Sequence, residues 1–525
     1  MRVRCARPLP GRMRPRRCGR IPAVTLHELD RAINATTAML PIIVVTIPFV
    51  VAVLVVVAGS RPNLREAVTL TGAVSAFGVM LAMVPPLRAG QPAEVFLPEL
   101  IPGVAFGLRA DGLGMAFALI ASGLWILASL YAVGYLRGEG AAHQTRFFAS
   151  FAVCLGAAFG VALAADFFTF LVFYEVLTVA TYPLVVHKQN DAAMAAGRRY
   201  LVYLLPGGVA LLLAVAIIYA ATGTLTFTPG GFVGDGLSGG ALVAVFALTA
   251  VGFGTKSGVM PLHAWLPAAM VAPTPVSALL HAVAVVKAGV FGFARAIGFV
   301  FGPFVLAEVG ATAALAALAA VTIVVASTTA VFQDGLKRRL AFSTIAQLSY
   351  IVLGLSILAA EAWTGALLQI VNHAVLKITL FFAAGALYVH AHLDRVSQLD
   401  GIGWRMPWTM SAFAVASVGL AGLPPMGGFV AKFYLVDGAF AADDVLYALV
   451  LLGSGLLSAG YLFPIVYRAF FRPPPEPVVR DEASPLMVVP LVVTATVGLL
   501  LGFGDLLGFG ELAAGVAAAV FGGGM

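Results

Sequence analysis

The chain has 525 residues and a net charge of +7; 61% of its residues are hydrophobic and only 10% are charged. A soluble globular domain carries about 25% charged residues, so water as the sole solvent is excluded and lipid is the alternative. The positive balance does not mark a nucleic-acid partner, because Arg2, Arg4, Arg7, Arg12, Arg14, Arg16, Arg17 and Arg20 supply it and the remainder is close to neutral.

Residues 1–38 read as a basic N-terminal segment, disordered or mis-started, with Met39 as an alternative start. The segment lacks an apolar stretch of its own and makes a poor signal peptide. Apolar runs of spanning length follow, about fourteen in all. The unit 39–134 holds runs at 41–58, 67–86 and 112–134. The unit 135–297 holds 147–164, 167–186, 200–221, 241–268 and 275–297. The unit 298–471 holds 304–327, 338–358, 363–388, 408–434 and 444–468. The last, 472–525, holds 486–504 and a short Gly/Ala-rich tail.

Linkers such as Ser60-Arg61-Pro62-Asn63, Lys188-Gln189-Asn190-Asp191 and Arg472-Pro473-Pro474-Pro475 are too short for a soluble domain. The expected fold is all-α, a polytopic integral membrane bundle, since lipid requires each backbone polar group to be satisfied within its own segment. Arginine and lysine concentrate in loops after odd-numbered runs, whereas the other loops hold little beyond Arg88, Arg109 and Arg295. The positive-inside rule makes the first set cytoplasmic and places both termini on the opposite face of a cell membrane.

Of six lysines, Lys188 and Lys337 lie in loops, while Lys256, Lys287, Lys377 and Lys432 lie within apolar runs. Arginine keeps to loops and helix ends. The division has a chemical meaning, because a buried lysine can exchange its proton and arginine cannot. Each charge near the bilayer centre costs at least about 2.5–3.5 kcal/mol. Glu175, deep in its run, is the natural counter-charge, and Asp166 at the start of that run reads equally as a helix cap.

His281 shares a run with Lys287, and His373 stands four residues before Lys377, on one helical face. Two helix breaks are expected, the first around Gly258, Pro261 and Pro267 beside Lys256, the second around Gly422, Pro424, Pro425 and Gly427 before Lys432. Broken helices recur beside the ion sites of transporters. For Lys287 and Lys377, snorkelling to the interface stands as the alternative to a buried role. The cysteines Cys5, Cys18 and Cys154 show no metal or disulfide spacing. No phosphate loop or HExxH motif occurs, so no cofactor, metal or catalytic residue is assigned to this chain.

Several motifs together resemble the antiporter-like subunits shared by respiratory complex I and the Mrp cation/proton antiporters. They are Ala165-Asp166-Phe167 through Tyr174-Glu175, Gly254-Thr255-Lys256-Ser257-Gly258 through Pro267, Ala272-Pro273-Thr274-Pro275-Val276-Ser277-Ala278-Leu279-Leu280-His281, Asp334-Gly335-Leu336-Lys337-Arg338-Arg339 through Leu348, and Asn372-His373-Ala374-Val375-Leu376-Lys377. The resemblance spans roughly residues 110–470 and is nearest to the D-type component of the Mrp antiporters. It implies two inverted five-helix repeats with broken helices 7 and 12.

The resemblance also implies a pathway in which Glu175 pairs with Lys256, Lys287 or His281 connects onward, His373 and Lys377 follow, and Lys432 ends the route. Separating Lys256 from Glu175 would then release the lysine's proton along the axis. The implied partners are other membrane subunits, protons and Na+. The function so expected is proton translocation within a Na+/proton antiporter of a bacterial inner membrane. Two alternatives stay open: the proton-pumping arm of an NADH-quinone oxidoreductase or membrane-bound hydrogenase complex, whose redox chemistry would sit on other chains, and a self-sufficient solute carrier.

Overall fold

The computed structural model describes residues 26–99, 102, 104–475, 477 and 479–522, with side chains from residue 37 on, Asp235 excepted. Of residues 1–38, expected to be disordered or mis-started, 1–25 lie outside the described residues, and the stretch from Leu26 on is helical instead. Helix α1 (Leu26–Val57) starts ahead of the expected boundary and carries Pro41 and Pro48. It is followed by α2 (Pro62–Ala82) and the short α3 (Val84–Arg88).

Strands β1 (Glu94–Phe96) and β2 (Gly107–Arg109) then pair antiparallel, with Glu94 opposite Arg109 and their side chains bonded at 2.7 Å. This hairpin departs from the expected all-helical chain. It lies in a long connection between apolar runs, where no membrane forces backbone pairing into helices.

The first half of the bundle comprises α4 (Gly112–Gly138), α5 (Gln144–Leu163), α6 (Phe167–Val185), α7 (Asp191–Thr222), α8 (Gly239–Ser257), the single turn α9 (Trp265–Ala268), α10 (Thr274–Ala282) and α11 (Val285–Arg295). After α12 (Pro303–Glu308) come α13 (Ala311–Val331), α14 (Leu336–Ser356), α15 (Ala360–Ala391), α16 (Ile402–Arg405), α17 (Pro407–Ala421), α18 (Gly427–Ala441) and α19 (Val445–Phe471). The chain closes with α20 (Pro485–Leu500) and α21 (Phe509–Gly522). Among the described residues, 12 helices are long and apolar enough to cross a membrane. The apolar runs expected at 408–434 and 486–504 are met by the broken pair α17–α18 and by the shorter α20.

The bundle is mostly helical and polytopic, and its burial sorts the helices. The spans Thr274–Phe301, Leu336–Ser356 and Ala360–Ala391 are buried on every side. The outer helices leave Val57, Val202, Leu446 and Leu456 open, as lipid-facing side chains would be. Helix α15 is the central post, packed against α4, α10, α14, α17, α18, α20 and α21. The Gly/Ala-rich tail was assigned no helix of its own. It forms α21 instead, because Ala513, Val516, Ala517 and Val520 line one buried face. Phe521 of that helix meets Trp363 edge-on at 5.9 Å.

Ion pairs tie loops to the bundle. On one face Asp481 accepts from Arg405 at 3.2 Å and meets His390 at 3.0 Å. The Arg405 hydrogen bond is the main reason that its carboxyl stays below the usual range. Arg295, expected in a loop, is instead fully buried at the end of α11. It grips both oxygens of Asp111, at 2.6 and 2.8 Å, and stacks against Phe227, Phe291 and Phe299. Asp111 also caps α4 through the Gly114 amide at 2.8 Å.

Removing one partner of a buried pair costs about 3–5 kcal/mol. With Asp111 a quarter exposed, Arg295→Ala is expected to destabilise the subunit by about 3 kcal/mol, read as a lower thermal midpoint of the purified assembly. An unchanged midpoint would mean that the pair contributes nothing.

Candidate functional site

The first helix break forms as the residues dictate. Gly258 ends α8 in the left-handed conformation, φ 71°, and its amide closes on Gly254 and Thr255. Pro261 supplies no amide to continue the helix. The Thr255 carbonyl also accepts from the Trp265 indole at 2.8 Å, which fixes α9 across the gap. Lys256 stands in the last turn of α8 and is 1% exposed. Its amine donates to the Tyr174 carbonyl on α6 and lies 3.2 Å from the centre of the Tyr174 ring. Tyr174 is braced in turn by its hydroxyl on the Gly252 carbonyl, 2.8 Å. Sequence reasoning missed Tyr174 as the lysine's seat, although it adjoins Glu175.

Glu175 does not form the expected contact pair with Lys256. It is half-buried and aimed at α7, where a side chain on Gly208 would run into its carboxylate. Its Oε1 is buried without a protein hydrogen bond. The two groups sense each other electrostatically, yet Lys256 takes the nearer carbonyl. Among the described residues neither of them joins an ion pair.

The second break sits between α17 and α18. Gly422, φ 88°, ends α17, and Leu423 to Met426 cross the gap with Pro424 and Pro425 at its centre. Lys432 reaches back from α18 to the last carbonyls of α17, Leu420 at 2.8 Å and Ala421 at 3.1 Å. These carbonyls form the negative end of a half-helix. A side chain at Gly422 would collide with the Lys432 stem at 2.6 Å. The two breaks thus hold their lysines differently: Lys256 bonds to α6, away from its break, and Lys432 bonds across its break to the end of α17.

Between the breaks lie the remaining candidates. His281 and Lys287 were expected on one helix, but the chain bends at Val283 and Ala284. The Ala284 amide bonds five residues back to Leu279, and α11 starts afresh at Val285. No glycine or proline occurs there, so packing rather than a local sequence signal sets this third break. His281 lies tilted against Phe381 of α15 with ring centres 4.8 Å apart. Lys287 donates to the Ile370 carbonyl at 2.8 Å. Lys377 donates to Ser343 Oγ at 2.7 Å and to the Leu340 carbonyl at 3.1 Å. His373 lies within electrostatic range of Lys287, Lys377 and His281. All four groups are fully buried, which rules out snorkelling for Lys287 and Lys377.

Every membrane lysine is therefore held by neutral oxygens, which accept from an ammonium and also tolerate a neutral amine. The ring nitrogens of His281 and His373 lack protein partners. Buried polar groups are normally paired, and Glu175 Oε1 and both ring nitrogens of His281 and His373 are among those here that are not. The arrangement can pass protons between titratable groups. It offers no clustered His, Cys, Asp or Glu for a metal among the described residues.

Residues 164–458 match the family described as the transmembrane part of NADH:quinone oxidoreductase and Mrp antiporter proteins. The N-type subunit of the NADH-quinone oxidoreductase of Desulforudis audaxviator is 34% identical over 455 residues, covering 85% of this chain and 89% of that protein. The A/B component of a probable K+/H+ antiporter of Rhizobium meliloti is 33% identical over 398 residues, covering 74% of this chain but only 39% of that protein. Among solved structures, a chain of the Mrp complex from a Dietzia species superposes with a TM-score of 0.82 at 23% identity, over 93% of this chain and 98% of that one. A chain of an archaeal membrane-bound sulfane sulfur reductase gives 0.81 at 22% identity, with the same coverage. At such identities the superpositions show the fold alone.

Proposed function

We propose, because this chain belongs to the NADH:quinone oxidoreductase/Mrp antiporter family of transmembrane subunits, that it carries protons across the membrane as one subunit of a multisubunit Na+/proton antiporter, in the manner of the D-type Mrp component. What supports this most is the burial of Lys256, His281, Lys287, His373, Lys377 and Lys432 inside the bundle, with Glu175 half-buried on α6 and a helix break beside Lys256 and beside Lys432. A bulky solute would need a roomy site, and a proton needs only closely spaced titratable groups. The partners are other membrane subunits of a hetero-oligomeric complex. No cofactor is assigned to this chain, and it lies in a cell inner membrane with both termini opposite the arginine-rich loops.

In this reading the break at Gly258 lets Lys256 alternate between the Tyr174 carbonyl and Glu175. Moving away from the carboxylate hands the proton to the axis, and Lys432 passes it on. A redox-driven complex is the second reading. It is favoured by the N-type oxidoreductase subunit, which matches this chain over most of both lengths.

The test is to tag the chain in its own host, solubilise gently and identify the co-purifying subunits by mass spectrometry. Small membrane subunits without redox proteins are expected. Iron–sulfur, nickel or flavin subunits would replace the antiporter reading with the redox-driven one.

A further inference from the structure

Helices α14 and α19 run antiparallel, and each turns a polar stripe towards the other. Ser343, Gln347 and Tyr350 stand at i, i+4 and i+7 on α14, and Ser454, Ser458 and Tyr461 stand at the same spacing on α19. Such spacing puts each trio on one helical face. The two trios meet rung by rung. Ser343 Oγ donates to the Tyr461 hydroxyl at 2.8 Å. Gln347 Nε2 donates to Ser458 Oγ at 3.3 Å. The Tyr350 hydroxyl bonds the Leu451 carbonyl at 3.1 Å and is within side-chain reach of Ser454. Tyr461 and Ser458 are themselves joined at 3.0 Å. All six residues are buried.

The ladder has a lysine at each end. Lys377 donates into Ser343 at 2.7 Å. Lys432 lies 5.1 Å from the centre of the Tyr350 ring. The donors run in one sense, from Lys377 to Ser343, from Ser343 to Tyr461, and from Tyr461 to Ser458, whose own proton rests on the Ser454 carbonyl. The length covered is about 10 Å, from the helical rise over seven residues.

We infer that this hydroxyl ladder between α14 and α19 is the proton wire that joins Lys377 to Lys432, an inference that rests on the proton-path reading above. A hydroxyl both donates and accepts, so each one takes a proton on its lone pair as it releases its own. The Lys377 ammonium gives a proton to Ser343, the proton of Ser343 passes to Tyr461, and that of Tyr461 passes to Ser458. Water carries it from Ser458 and Ser454 across the face of Tyr350 to the neutral Lys432 amine. One proton and one positive charge move, Lys377 ends neutral and Lys432 ends charged. Gln347 cannot relay in this way, and its amide holds Ser458 in place. Polar side chains also glue membrane helices together, but a glue has no need to begin on one buried lysine and end at another.

The test deletes single oxygens. Tyr461→Phe and Ser458→Ala are made in the full chain in its host, with Ser458→Thr as the variant that keeps a hydroxyl and Lys256→Ala as a control in the first half. Proton flux is followed with a pH-sensitive dye in inverted membrane vesicles, and assembly by co-purification. The expected result is at least a tenfold loss of flux in Tyr461→Phe and in Ser458→Ala, recovery in Ser458→Thr, and wild-type assembly throughout. Full flux in either deletion variant while Lys256→Ala is inactive would overturn the wire and leave the proton-path reading standing. Full flux in Lys256→Ala as well would sink that reading and the wire with it. Flux that falls only in proportion to assembled complex would make the ladder a packing device and likewise overturn the wire.

Discussion

Lys256→Ala is expected to cut proton flux by at least about a hundredfold, equivalent to about 2.7 kcal/mol of added barrier, while the subunit still assembles. Assembly survives because the amine is bonded to a backbone carbonyl already engaged in α6, where the Thr178 hydroxyl also donates to it at 3.2 Å. Glu175 makes no contact pair that the substitution would break. Flux fails because the group next to the first break can no longer take up and release a proton. Lys256→Arg separates charge from exchange: the positive charge remains, yet guanidinium does not release its proton at working pH, so this variant is expected to be equally inactive. Glu175→Gln keeps the volume beside Gly208 and removes the charge, and it is expected to match Lys256→Ala. Full flux with arginine at 256 would show that the site needs only a fixed charge, and exchange at Lys256 would have to be abandoned.

Much of this site could be read from the chain because charge in lipid is conspicuous. Lys256 and Lys432 stood out against apolar neighbours, and glycine and proline announced both breaks. Contacts that depend on which oxygen lies nearest could not be read. Lys256 adopts the Tyr174 carbonyl rather than Glu175, and no spacing rule ranks a main-chain oxygen against a carboxylate two helices away. The break between His281 and Lys287 carries no helix-breaking residue, so its origin is tertiary. Arg295 looked like a loop residue because it closes an apolar run, and only the fold brings Asp111 beneath it. The stripes on α14 and α19 each follow a helical period, yet that they face one another required the packing of the bundle. The hairpin lay in a stretch that was neither an apolar run nor a motif, and α21, though apolar, is shorter than a membrane span, so the spanning rule marks neither.

Lys432→Gln is expected to lower flux as far as Lys256→Ala does, although the two lysines lie in opposite halves of the chain. Glutamine retains a donor for the Leu420 and Ala421 carbonyls at the end of α17, which keeps the second break satisfied, and it cannot carry the proton. The double variant Lys256→Ala/Lys432→Gln then decides how the halves are connected. On one continuous axis the two groups act in series, and a second block adds nothing to the first. The double variant should stay near a hundredfold loss rather than approach the product of about ten-thousandfold that independent barriers would give. If each half instead carried its own proton, either single variant would retain about half the flux and only the double would be silent. The geometry favours the series outcome. His373 lies within electrostatic range of both Lys287 and Lys377, and Lys377 opens directly onto Ser343 and the α19 hydroxyls that lead to Lys432. Half-flux in both single variants would divide the chain into two separate channels and leave His373 without a task.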